Sequence, residues 1–281
     1  MGDQVSKAEA LRARHGGDAP LVLPNIWDAG TSVLAAEAGF EAIATTSAGV
    51  AWAHGLPDGE VISRDDMLNA VAACASAVHV PVTADMETGY GEAPEIVADT
   101  VKLTAEAGAV GLNLEDGIEH SGEILEKSLA VDRIAAARAA ADETGIPMVI
   151  NARTDIYFGN IREPGEKFDI AVERANAYLA AGADCAYVIA AMDADAIGEL
   201  AKAIDGPLNV PAGAGGLDVA GLAALGVARI SVAGGLTRGA FGYLRRVLTE
   251  LRDDGTFGFL DGAIPHPELN QLYAGNRGDE T

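Results

Sequence analysis

Residues 82–91 read VTADMETGYG, an apolar run that goes straight into two carboxylates, Asp85 and Glu87, and then breaks on glycines. The pattern returns twice. NLEDG ends an apolar run in Glu115 and Asp116, and NARTDIY ends another in Asn151, Arg153 and Asp155. Residues two apart on a strand share a face, so Asp85 and Glu87 are expected to point the same way, with Glu115 beside them from the next strand. Carboxylates packed so closely repel one another and take up protons. A hard divalent cation held partly through water removes the conflict: most simply Mg2+, with Mn2+ as an alternative. The expected metal residues are therefore Asp85, Glu87 and Glu115, with Arg153 as the nearby cation. Any one acid taken alone reads equally as a helix cap or a loop ion pair. Acids without partners at consecutive strand ends are costly to bury, which favours the metal for the set.

Short apolar strands are expected at 21–26, 42–47, 80–86, 111–116, 148–155, 185–190, 207–212 and 228–234, alternating with helices at 63–78, 93–107, 130–144, 166–181, 193–204, 217–225 and 237–252. Strands this continuously apolar are buried on both faces. A junction repeats in AEAGFEAI, AEAGAVGL, AAGADCAY and AALGVARI: a helix ends at Gly39, Gly108, Gly182 or Gly226 and a strand follows. Glycine suits the left-handed helix C-cap. Ser63 with Asp66 three residues on resembles a capping box. Eight such units make either a barrel or an open doubly wound sheet. The first strand is followed by WDAGTS rather than Gly-x-Gly-x-x-Gly, and there is no P-loop. The expectation is one (β/α)8 TIM barrel domain, about 20–257, with a C-terminal extension at 258–281. In that extension HPELNQLYA reads as one short helix packing on a neighbour, and the last six or so residues as frayed.

Charge narrows the partners. With 42 acidic and 19 basic residues in 281, the net charge is -23. Such a field repels nucleic acid and anionic membrane, and an anionic substrate would need local cationic help. No apolar run has the length of a membrane span, and the first twenty residues lack the apolar centre of a signal peptide, so a cytoplasmic protein is expected. Cys74 and Cys185 have no metal or redox spacing and read as core residues.

Taken together, LPNIWDAGTSVLAAEAGFEAI, GLPDGE, VTADMETGYG, NLEDG and NARTDIY follow an order and spacing that resembles the isocitrate lyase/phosphoenolpyruvate mutase superfamily, over roughly residues 20–240. The resemblance implies a (β/α)8 barrel in dimers or tetramers that swap a C-terminal helix. It also implies Mg2+, a 2-oxo acid substrate, and C–C or C–P bond chemistry beside an enolate. By position it implies that Asp85 binds the metal directly, that Glu115 holds a metal-bound water, and that Arg153 grips the substrate and its developing oxyanion. Glu87 stands where the superfamily has a second aspartate. Thr46, Ser47 and Ala48 lie where backbone N–H groups bind the substrate carboxylate. Asp58 and Asn209 match an acid after the second strand and an asparagine at the seventh strand end. The chain departs from the superfamily after Asp116, where DGIEHSGEILEKS lacks the Lys-Arg-Cys-Gly-His lid motif of the lyases and the Lys-x-Asn of the mutase branch. His120 on that loop is the candidate general acid, with a solvated loop histidine as the alternative. The expected function is a Mg2+-dependent lyase acting on a small 2-oxo or 2-hydroxy (di)carboxylic acid. C–P chemistry of the phosphonopyruvate hydrolase or mutase type, and a non-catalytic 2-oxo acid binder, are the alternatives.

Overall fold

The apolar runs become eight parallel strands. In the computed structural model, which describes residues 2–118, 121–158, 163–190 and 193–275, β1 comes in two pieces, Leu21–Leu23 and Asn25–Ile26. β2 to β8 are Ile43–Thr45, Val82–Asp85, Gly111–Glu115, Val149–Thr154, Cys185–Val188, Leu208–Pro211 and Arg229–Ser231. Pro24 causes the split, because it has no N–H to give to a ladder. The two halves of β1 then face different neighbours. Leu21–Leu23 pairs with β8 and Asn25–Ile26 with β2, while the Pro24 carbonyl still accepts from Ala44 N–H at 3.0 Å. The first strand thus joins both ends of the sheet and closes it into a (β/α)8 barrel.

The helices are α1 Gly2–Arg14, α2 Ala29–Glu37, α3 Ser47–Ala53, α4 Arg64–Ser76, α5 Pro94–Glu106, α6 Lys127–Glu143, α7 Pro164–Ala180, α8 Ala194–Ala203, α9 Val219–Ala224, α10 Gly235–Asp253 and α11 His266–Gly275. The expected helix-end glycines Gly39, Gly108, Gly182 and Gly226 all have positive φ, and Ser63 caps α4 by accepting from Asp66 N–H at 3.2 Å. Three elements lie outside the sequence expectation. α1 buries only Ala8 and Leu11, too sparse a stripe to read from the sequence. α3 replaces the end of the expected 42–47 strand, because Thr46 turns the chain and caps the new helix at Gly49 N–H. A small hairpin, Gly117–Ile118 with Glu123–Ile124, follows β4.

Alternation along the strands sorts the layers. Leu112, Leu114, Ile150 and Ala152 pack with Val97 and Val101 of α5 and Ile134 and Ala137 of α6. Val188, Val210 and Ile230 pack with Ala171 and Ala175 of α7, Ile197 of α8 and Leu222 of α9. The residues between them, Asn113, Asn151, Asn209 and Arg229, fill the barrel interior and are buried. Cys74 and Cys185 are buried and unpaired, as core residues should be. The short helix expected at 266–274 forms, and in this chain it packs on its own α2, with Tyr273 Oη donating to the Gly30 carbonyl at 3.2 Å. The expected frayed end, 276–281, lies outside the described residues. Among the described residues no helix is long and apolar enough to cross a membrane.

Candidate active site

β3 ends at Asp85, whose carboxylate and backbone N–H are both oriented by neighbours. Asp85 Oδ2 accepts from the Ser47 N–H at 3.0 Å and the Ser47 hydroxyl at 2.9 Å. Asp85 Oδ1 accepts from Asn113 Nδ2 at 3.3 Å, and the Asp85 N–H donates to Thr45 Oγ1 at 2.8 Å. Glu87 reaches the same place by a different route from the expected one. It lies beyond the strand with φ at +51°, so a left-handed turn, and not strand pleating, aims it. Glu60 and Tyr90 are also left-handed, at +54° and +62°. Such conformations cost on the order of 1–3 kcal/mol each outside glycine and persist only where surroundings hold them. Here they are held: Glu60 N–H donates to Glu87 Oε2, and Glu60 Oε1 accepts from Thr88 N–H at 2.7 Å and Tyr90 N–H at 3.3 Å. The loops after β2 and β3 are thereby stapled together.

Arg153 rises from β5 between two acids. Its Nε and Nη2 donate to Asp155 Oδ1 and Oδ2 at 2.6 and 2.9 Å, and its Nη1 pairs with Glu115 Oε2. Burial alone would lower the arginine's pKa, but Glu115 and Asp155 hold it well above the usual value, so Arg153 stays charged. The carboxylates move the other way. Burial, then Asp85, pushes Glu87 up to about 8. The same two causes raise Asp58.

Ser47, Asp58, Glu87, Glu115 and Arg153 line one cavity of about 360 Å3, which Glu60, Glu123 and Asp155 complete. Among the described residues, six carboxylates thus face one guanidinium. Among the described residues no three Asp, Glu, His or Cys side chains close round a single point as a metal cage. The donor set nevertheless fits a hard dication. It is all oxygen, it carries excess negative charge, and Glu87 Oε1 is buried without a hydrogen-bond partner. Oxygen-rich sites that keep several waters are the habit of Mg2+.

The other expected residues are placed as follows. Thr46 caps α3, and Ala48 is buried in the first turn of that helix; neither lines the cavity. The Ser47 N–H, expected to bind a substrate carboxylate, is occupied by Asp85. Asn209 is fully buried inside the barrel, where its Oδ1 accepts from Ser231 Oγ at 3.4 Å. His120 lies outside the described residues. Sequence reasoning missed Glu60, and it also missed Asn113, whose Oδ1 takes Asn151 Nδ2 at 2.7 Å and Arg229 Nη2 at 3.3 Å and whose amide is thereby turned toward Asp85. The available signal was spacing, because Asn113 shares a strand face with Glu115.

The profile of the phosphoenolpyruvate phosphomutase family matches residues 11–252. The chain belongs to this family. It is a member of the isocitrate lyase/phosphoenolpyruvate mutase superfamily, an enzyme group of lyases and mutases. Among family relatives, an uncharacterized protein of Mycobacterium tuberculosis H37Rv is 36% identical over 77% of this chain and 79% of its own length. The 2-methylisocitrate lyase of Escherichia coli K12 is 34% identical over 72% of this chain and 69% of the enzyme. A Burkholderia cenocepacia J2315 protein provisionally described as a lyase/mutase superposes with a TM-score of 0.91 at 44% identity, covering 98% of each chain. Phosphonopyruvate hydrolase in complex with oxalate and Mg2+ superposes at 0.85 and 28% identity, over 96% of each chain. Oxaloacetate acetylhydrolase with its product oxalate superposes at 0.86 and 27% identity, over 96% of this chain and 94% of that one.

Proposed function

We propose that the chain is a Mg2+-dependent enzyme that cleaves a C–C bond in a small 2-oxo or 2-hydroxy (di)carboxylic acid by way of an enolate. The observation that carries this reading is the cavity in which, among the described residues, six carboxylates face Arg153 alone. Asp85, Glu87 and Glu115 would hold the dication, which when bound supplies Lewis acidity to the carbonyl and carboxylate oxygens of such an acid. Asp155 fixes the Nε and Nη2 edge of Arg153, so the guanidinium is aimed before a substrate arrives. A preorganised cation at a developing oxyanion favours the transition state over the ground state. Ser47 and Asp58, which also line the cavity, form the proposed substrate wall, with Thr46 and Ala48 next to Ser47 in the chain and Asn209 buried in the barrel. His120 is the proposed proton donor. C–C cleavage is favoured over C–P chemistry because a phosphonate leaving group calls for several charge-assisted donors, and among the described residues Arg153 is the one cation lining the cavity.

The partner we propose is a second copy of this chain. α10 buries Thr237 but leaves Tyr243, Leu244, Leu248 and Leu251 at 43–56% exposure. A contiguous exposed apolar face of this kind marks a protein interface, and a swapped C-terminal helix would cover it. The chain is then one barrel domain with a helical extension, assembled as a dimer or tetramer.

The test is calorimetric titration of oxalate, a planar stand-in for the enolate of a 2-oxo acid. Binding should require Mg2+ and be lost in Asp85→Asn. Equal affinity with and without Mg2+, or in the variant, would refute the assignment.

A further inference from the structure

Glu115 faces the cavity, but its neighbour Asp116 turns back and is buried beneath α7. Among the described residues, the hydrogen bonds of the Asp116 carboxylate run to the Asp155 backbone and to two side chains that do not line the cavity. Oδ1 accepts from the Asp155 backbone N–H at 2.8 Å, and Oδ2 accepts from the Tyr178 hydroxyl at 2.6 Å and from Arg174 Nη1 at 3.0 Å. Arg174 Nη2 donates to the Leu125 carbonyl at 2.6 Å, and the Leu125 N–H donates to the Asp116 carbonyl at 2.8 Å. Leu125 directly follows the hairpin whose Gly117 and Glu123 line the cavity. One knot of three side chains therefore ties together the end of β4, the turn that carries Asp155, and the base of the hairpin wall.

None of the three lines the cavity, and Arg174 offsets the charge of Asp116, so the knot adds no net charge behind the mouth. What it fixes is place. Asp155 clamps Arg153 through two hydrogen bonds, and the knot holds the backbone of Asp155. The hairpin rests on the same carboxylate: a Cβ on Gly117 would come within 2.8 Å of Asp155 Oδ2. A real side chain there must displace the clamp.

We infer that Asp116, Arg174 and Tyr178 are positioning residues that hold the Arg153 guanidinium and the hairpin wall in register. The inference rests on the reading that Arg153 grips the substrate acid. It is tested on the full chain with Tyr178→Phe, which removes one hydroxyl of the knot, and Gly117→Ala, which presses on the clamp from the opposite side. Three quantities are read: oxalate affinity at saturating Mg2+, Mn2+ affinity by electron paramagnetic resonance, and solvent exchange of the Arg153 Nε–H by NMR. Loss of the Tyr178 hydrogen bond to the charged Asp116 predicts oxalate binding weakened by about tenfold in Tyr178→Phe, and Gly117→Ala, which displaces the clamp itself, should weaken it as well. Mn2+ affinity should stay within about twofold, and Nε–H exchange should speed up. Wild-type oxalate affinity in both variants, with only a lower melting temperature, would overturn the inference and leave the knot a stabilising one. If the wild-type protein binds no oxalate, the functional reading fails. The exchange measurement then decides positioning, and an unchanged Nε–H rate in Tyr178→Phe overturns it.

Discussion

Glu87 should make the metal-free protein less stable as the pH rises through neutrality. Its side chain is 3% exposed, so solvent screens it little, and burial followed by Asp85 pushes its pKa from 4.5 to about 8. Between those two values the folded chain keeps a proton that the unfolded chain has shed, so stability falls with increasing pH. The penalty is absent below 4.5 and complete above about 8. Each pH unit inside the window is worth about 1.4 kcal/mol, and integrating the titration from pH 6 to pH 8 gives a loss of about 2 kcal/mol. Glu87→Gln keeps an oxygen for the Glu60 N–H and cannot ionise. In urea denaturation with EDTA, the variant should therefore gain about 2 kcal/mol on wild type between pH 6 and pH 8. Glu87 is itself one of the charges that raise Glu115, so the difference reports Glu87 together with its effect on that neighbour. Mg2+ should also expel the proton: at pH 7 about 0.9 of a proton per site should appear in unbuffered solution. Parallel stability curves for the two proteins, or Mg2+ binding without proton release, would refute the electrostatic reading of the site.

His15 should give the opposite slope. Its Nδ1–H donates to the Leu11 carbonyl at 2.9 Å and its Nε2 faces Arg229 Nη1 at 3.5 Å, and burial and Arg229 push it down to about 4. From pH 6.5 down through about 4 the unfolded chain binds a proton that folded His15 refuses, so stability is lost as pH falls, up to about 3 kcal/mol. His15→Ala should flatten that acid limb while costing about 1–3 kcal/mol at pH 7 for the acceptor it takes from Arg229; an unchanged acid limb counts against the pairing. Gly49→Ala should destabilise by about 1–3 kcal/mol through overpacking, since its Cβ would lie 2.5 Å from Thr237 Oγ1 and 2.6 Å from Thr46 Cγ2. A wild-type melting curve for that variant would show the contact to be softer than drawn.

The barrel was legible because each strand is a short apolar run and four of the helices that precede a strand end on a glycine, Gly39, Gly108, Gly182 and Gly226. Asp85, Glu115 and Arg153 were legible because a charged residue closing an apolar run has few other places to go than a strand mouth. Glu87 is legible as a residue at the strand mouth, but a left-handed turn aims it and strand pleating does not. Asn113 and Arg229 stayed hidden because they sit inside runs whose neighbours are apolar, where a polar residue facing the barrel axis looks like any other strand residue. Asp116 and Glu115 are adjacent in sequence and serve opposite sides of one strand end. Their separation depends on α7, whose Arg174 and Tyr178 lie about sixty positions away and leave no local trace. The same holds for Glu60, whose partners are brought to it by a second loop.

A site of this kind should stabilise an enolate. Proton NMR of pyruvate in D2O tests it without knowledge of the natural leaving group. With Mg2+ and the protein, the methyl signal should decay as deuterium enters, and the decay should stop in EDTA and in Asp85→Asn. A methyl signal that decays no faster than in protein-free buffer at saturating Mg2+, or a decay that survives in Asp85→Asn, would contradict it.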